Sequence, residues 1–225
     1  MTAHENSAKR TILCYGDANT WGSVPGSARE RFPVHVRWPG VISKLLRTDI
    51  RVLEEGLCGR TAITDDPIGS AFGVERNGFK TFGAILDTHS PLDLVVVMLG
   101  TNDLRHAAKL TAYDIAEGVA ALAEMARSPL FGPELSNSPD ILVICPPAIW
   151  EVESVFGPHF TGGREISLEL RDAFRNMCGR YQLPVIYAED FVHSDPSDGF
   201  SLSAESHAIL GQEIARWILE RYGDW

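Results

Sequence analysis

The sequence is poor in several things. Its four cysteines, Cys14, Cys58, Cys145 and Cys178, are widely spaced with no CxxC pair, so neither a zinc site nor a dithiol couple is suggested. Basic side chains are in deficit, 20 Lys and Arg against 30 Asp and Glu, for a formal charge of -10. That balance argues against nucleic acid or an anionic membrane surface as partner. Long apolar runs are missing too. The longest, "LDLVVVMLG", is far below the roughly 18 residues that span a bilayer. The polar start "MTAHENSAKR" has no apolar signal segment with a small-residue cleavage site, so a cytoplasmic protein is expected. Without internal repeats, low-complexity segments or a dividing linker, the 225 residues are read as one domain, with 1–10 as a polar tail.

What is present is an alternation. Apolar runs of strand length recur at 11–16, 50–56, 92–100, 140–147 and 183–190. Between them lie helix-period segments at about 40–48, 73–88, 111–128, 164–181 and 203–222. Strand alternating with helix predicts a three-layer α/β/α sandwich around a doubly wound, five-stranded parallel sheet. The strands lack polar alternation, as expected when both faces are covered. Cys14 and Cys145 fall inside such strands and are read as buried thiols.

In a doubly wound sheet ligands bind beyond the carboxyl ends of the strands. The loops there read "GDANTWG" after the first run, "EEGLCGRTAITDD" after the second, "GTND" after the third and "DPSDGFSLSAESHAILG" late in the chain. Gly16 permits a tight exit from the first strand, and Gly56 and Gly59 permit close backbone approach. Asn102 offers an amide at the third strand end, and Asp198 lies before the last helix.

Four blocks in this order resemble the SGNH hydrolases, or GDSL-type esterases, over nearly the whole chain. "TWG", "RERFPVHVRWPGV", "EEGLCGRT" and "PLDLVVVMLGTNDL" are most similar to the bacterial arylesterase and acyltransferase branch. The resemblance implies a flavodoxin-like fold and acyl transfer from small acetyl or aryl esters, without metal or cofactor. It also implies a serine nucleophile after "GD" and a late Asp-x-x-His pair, orienting acid and base. Here Ala18 holds the serine position, and the late block reads Asp198-Gly199-Phe200-Ser201, with Ser201 in place of histidine. A methyl group cannot attack a carbonyl and a hydroxyl cannot serve as the base. The implied oxyanion hole, by contrast, is complete: the N–H of Ala18, the N–H of Gly59 and the amide of Asn102. In other triad enzymes such remnants retain roughly 10³ to 10⁴-fold acceleration over water.

Other residues have competing readings. Asp17 is read as a cap or supporting hydrogen-bond group at the pocket, and Asp103 as a helix-start cap. Asp65 and Asp66 look like a metal pair but lack a third ligand, so they are read as solvated or turn-forming. Cys58 is either reactive or a small pocket-lining residue, with lining preferred. Trp21 is core or acyl-pocket wall, and the resemblance favours the wall. His207 is read as structural and His193 as a surface loop residue. The aromatic insertion containing Trp38, and the loop 152–163 with Phe156 and Phe160, are expected to narrow a channel formed by homo-oligomerisation, with an octamer as the leading form. Two explanations of positions 18 and 201 stay open: an engineered variant of a working esterase, which the intact surroundings favour, or a natural non-catalytic relative binding an ester or sugar-like ligand. A third is a pocket redesigned around Ser201, Asp198 or Cys58.

Overall fold

A computed structural model describes residues 10–66, 73–134, 137–223 and 225. All but Arg10 of the expected polar tail lies outside the described residues. Five strands, β1 (Thr11–Gly16), β2 (Arg51–Gly56), β3 (Leu94–Met98), β4 (Asp140–Cys145) and β5 (Val185–Tyr187), pair in the order β2-β1-β3-β4-β5. Every pairing is parallel. This is the expected doubly wound, flavodoxin-like order.

Alternate residues of each central strand enter different cores. Leu13, Tyr15, Val95, Val97, Ile141 and Val143 join the core under α3 (Gly78–His89), α4 (Ala112–Ala126) and α5 (Gly163–Tyr181). Ile12, Cys14, Leu94, Val96, Leu142 and Ile144 face the opposite way, toward α2 (Trp38–Leu45) and α6 (Ala204–Tyr222). Fully burying one such aliphatic side chain contributes about 1.5–3 kcal/mol. Uninterrupted apolar strands are therefore stable only with a helical layer on each face, which is the expected three-layer sandwich.

Element ends depart from the expectations for local reasons. Residues 73–77 do not join α3, because the Asn77 side chain accepts from the Phe79 N–H and starts the helix at Gly78. The carboxyl end of the last expected strand tightens into a 3₁₀ turn, Ala188–Asp190. Trp38 corrects the reading of the aromatic insertion. It is fully buried as the first residue of α2, with Pro39 in the first turn, and packs into the second core rather than a channel.

Candidate active site

The first loop turns on Gly16. A Cβ there would lie 2.0 Å from Thr20 Oγ1 and 2.7 Å from the Met98 carbonyl, so only glycine fits. Asp17 follows as N-cap of the one-turn helix α1 (Ala18–Trp21), its Oδ1 accepting from the Asn19 N–H at 2.9 Å. Its Oδ2 accepts from Asn102 Nδ2 at 3.2 Å, so the cap and supporting roles coincide. Asp17 is 2% exposed, and burial is the main reason its carboxyl is pushed up to about 6. The Asn19 N–H opposes the shift and the Asp103 charge adds to it.

The second loop is drawn in by Gly56, where a Cβ would stand 2.2 Å from the Trp21 backbone nitrogen. Arg60 braces it: the guanidinium lies 4.1 Å over the Tyr15 ring and donates to the carbonyls of Gly16 and Glu55. Gly59 has φ +79°, a conformation that favours glycine. Cys58 beside it is pushed up to about 11, first by burial and then by the Asp17 charge. It is a thiol at neutral pH, consistent with lining rather than reactivity.

Asn102 opens a 3₁₀ turn, Asn102–Leu104, after β3. Its Nδ2 also donates to the Arg60 carbonyl at 3.1 Å, and its Oδ1 accepts from Arg105 Nη2 at 3.2 Å. Asp103 caps no helix among the described residues, which corrects that reading. Its carboxylate instead accepts from the Ala62 N–H at 2.7 Å and the Thr64 hydroxyl at 3.1 Å, holding the second loop against the third. A buried carboxylate needs several donors, and the neighbouring loop supplies them.

The late loop meets the first through Asn19. Its Nδ2 donates to the Phe200 carbonyl and its Oδ1 accepts from the Leu202 N–H, each at 2.9 Å. This clip sets Ser201, which is buried, opposite the residue that follows Ala18. The Asp198 carboxylate, also buried, accepts from the backbone N–H groups of Gly26, Phe200 and Ser201 at 2.9–3.1 Å. Phe156 and Phe160 both reach this loop. Phe160 stacks on Phe200 at 5.1 Å and Phe156 meets its edge at 6.4 Å.

The remaining sequence-derived residues sort as follows. Trp21 is half-buried under the Arg31 guanidinium at 4.9 Å. Asp65 pairs with Lys80 and Asp66 with Arg105, so the two acids are split rather than convergent. His193 is exposed. His207 is fully buried, accepting from the Trp38 N–H at 3.3 Å, as a structural histidine should. Sequence reasoning passed over Asn19, Arg60, Arg76, Arg105 and Phe200. The signal available for Asn19 was a polar residue one position beyond the turn, which periodicity does not mark. The N–H groups of Ala18 and Gly59 donate no hydrogen bond among the described residues.

Strand-end loops after β1, β2 and β3, closed by the loop after β5, define a flavodoxin-like α/β protein with its candidate site at the carboxyl edge of the sheet. The chain belongs to the GDSL-like lipase/acylhydrolase family, whose model matches residues 14–208, and the SGNH resemblance is thereby established. It is 34% identical to a carbohydrate acetylesterase from Sinorhizobium meliloti, with a TM-score of 0.87 over 95% of this chain and 100% of that one. It is likewise 34% identical to an aryl esterase of M. smegmatis, with a TM-score of 0.86 over 94% of this chain and 99% of the other. No curated protein matches the sequence. Among the described residues, no helix is long and apolar enough to cross a membrane.

Proposed function

We propose that this chain is an esterase scaffold for small acetyl or aryl carboxylic esters whose proton-transfer machinery is disabled at Ala18 and Ser201. The observation that carries the reading is the frame around those two positions. Asp17, Gly59, Asn102 and Asp198 stand in the loops where an esterase needs them, and Asn19 joins the two substituted loops directly. Asp198 keeps its backbone cradle with no imidazole to orient. The similar acetylesterase and aryl esterase supply the substrate class. Two substitutions in a working enzyme explain this pattern with the fewest changes.

The oxyanion donors are the N–H groups of Ala18 and Gly59, free among the described residues; the Asn102 amide, whose Nδ2 hydrogens go to Asp17 and the Arg60 carbonyl, joins them only by giving up one of those bonds. They stabilise charge but perform no attack, so triad turnover is absent. Restoring Ala18→Ser together with Ser201→His is expected to raise p-nitrophenyl acetate hydrolysis by at least about 10³-fold. A folded double revertant with no gain in rate refutes the reading. It would favour the alternative, a natural ester- or sugar-binding relative, which calorimetry on the unmodified chain would then have to reveal.

A further inference from the structure

Asn102 has two amide hydrogens, and both are spent inside the protein. Its Nδ2 donates to Asp17 Oδ2 at 3.2 Å and to the Arg60 carbonyl at 3.1 Å, while its Oδ1 accepts from Arg105 Nη2 at 3.2 Å. Arg105 is held in turn by Asp66 at 2.7 Å. An amide engaged in this way has no hydrogen for an oxyanion until one partner lets go.

The three partners differ in one respect. A backbone carbonyl accepts at any pH and a guanidinium stays charged, so only Asp17 can change what it offers. Its Oδ1 accepts from the Asn19 N–H at 2.9 Å. That bond keeps Oδ1 as the carbonyl oxygen of the neutral acid and puts an added proton on Oδ2. Oδ2 then carries an O–H where Asn102 Nδ2 presents its own N–H. Donor meets donor, and the bond is lost.

Resting on the esterase-scaffold reading, we infer that Asp17 is a positioning residue that gates the oxyanion hole: as a carboxylate it keeps the Asn102 amide, and on taking up a proton it releases one amide hydrogen toward an oxygen received by the Ala18 and Gly59 N–H groups. Protonation also removes a negative charge one residue from the Ala18 N–H. Both effects favour the oxyanion when Asp17 is neutral.

The surroundings bring this gate into the ordinary pH range. Asp17 is buried, and burial is the main reason its carboxyl is pushed up to about 6. Arg60 of the second loop and the Asn19 and Asn102 donors favour the carboxylate, whereas Asp103 of the third loop favours the acid. Cys58, which also faces Asp17, is a neutral thiol in this range. In the late loop the Asp198 carboxylate is taken up by the N–H groups of Gly26, Phe200 and Ser201. The amide is therefore held above about pH 6 and released below it.

Asp17→Asn fixes the released state, because the introduced amide keeps an acceptor for the Asn19 N–H and turns a donor toward Asn102. The test adds it to the Ala18→Ser, Ser201→His double revertant and compares kcat and KM for p-nitrophenyl acetate from pH 5.0 to 7.5. Removing an oxyanion donor outright costs roughly 10² to 10³-fold in kcat. Here a donor is only freed from a competing bond, so Asp17→Asn should raise kcat by about tenfold at pH 7.5 with KM unchanged. The gain should shrink toward pH 5.0, where Asp17 is already protonated. The base restored at position 201 titrates in both proteins and cancels in the ratio. A second arm needs neither activity nor substitution: crystal structures of the unmodified chain should show Asn102 Nδ2 against Asp17 Oδ2 at pH 7.5 and out of hydrogen-bond reach at pH 5.0. If Asp17→Asn does not fold, this arm decides. Absence of a gain at pH 7.5, a kcat ratio that is flat across pH, or the same contact at both pH values would overturn the gate. An inactive double revertant of a chain whose contact opens in acid would remove the esterase reading and leave the amide release standing. An active one with a flat ratio would remove the gate alone.

Discussion

His207 offers a quantitative test of how burial sets charge in this fold. The ring is fully buried on α6, its Nδ1 accepts from the Trp38 N–H, and its Nε2 has no partner. Burial, reinforced by the Arg37 charge, lowers its pKa to about 4. The unfolded chain takes the same proton near pH 6.5. Stability is therefore lost as pH falls from 6.5 toward 4, because the unfolded state gains the proton first. Asp17 and Asp103 act in the opposite sense. Burial raises each to about 6 in the folded chain, against about 3.9 when unfolded. As pH falls through 6 the folded state takes up those protons and a burial cost is relieved. Integrated from pH 7.5 to 4.5, each aspartate contributes a gain of about 2 kcal/mol and His207 a loss of about 2.5 kcal/mol, so the three together leave a net gain of about 1.5 kcal/mol. His207→Asn keeps an acceptor for Trp38 and removes the loss. Urea unfolding of parent and variant across this range should diverge by about 2–3 kcal/mol, the variant gaining relative stability toward acid. The remaining groups titrate in both proteins and cancel in the difference. Parallel curves would show that His207 is not held neutral by its surroundings.

Two further outcomes follow from the loops. Asn19→Ala removes both hydrogen bonds that clip the first loop to the late one and strands the buried Leu202 N–H, so it should cost about 2–4 kcal/mol in urea unfolding. The Leu202 amide should also exchange faster, and unchanged protection there would contradict the clip. Cys58, pushed up to about 11, should be alkylated by iodoacetamide at pH 7.5 on the order of a hundredfold more slowly than in urea-unfolded chain. Equal rates, read by mass spectrometry, would place a reactive thiolate in the pocket.

Much of the architecture was legible beforehand, because it depends on patterns that local chemistry imposes. Strands without polar alternation announced a sheet covered on both faces, and "GD", "EEGLCGRT" and "GTND" marked its carboxyl ends. The Asp17 cap was readable because capping joins residues two apart. Asp103 was misjudged because its partners, Ala62 and Thr64, lie about forty residues away, on a loop that only folding brings near. Trp38 was misplaced in the same way. Aromatic content suggested a channel wall, yet Pro39 starts a helix there and the core takes the ring.

The sequence by itself determined the layer order, the family blocks and the residues standing at positions 18 and 201, since each is carried by residue identity or short-range periodicity. Only the tertiary structure decided which polar groups have partners: Asn19 clipping two loops, Asn102 shared by Asp17, Arg60 and Arg105, and the Gly59 N–H left without an acceptor among the described residues. The physical reason is that hydrogen bonds and charge pairs act over about 3 Å in space, a distance that separation along the chain does not encode.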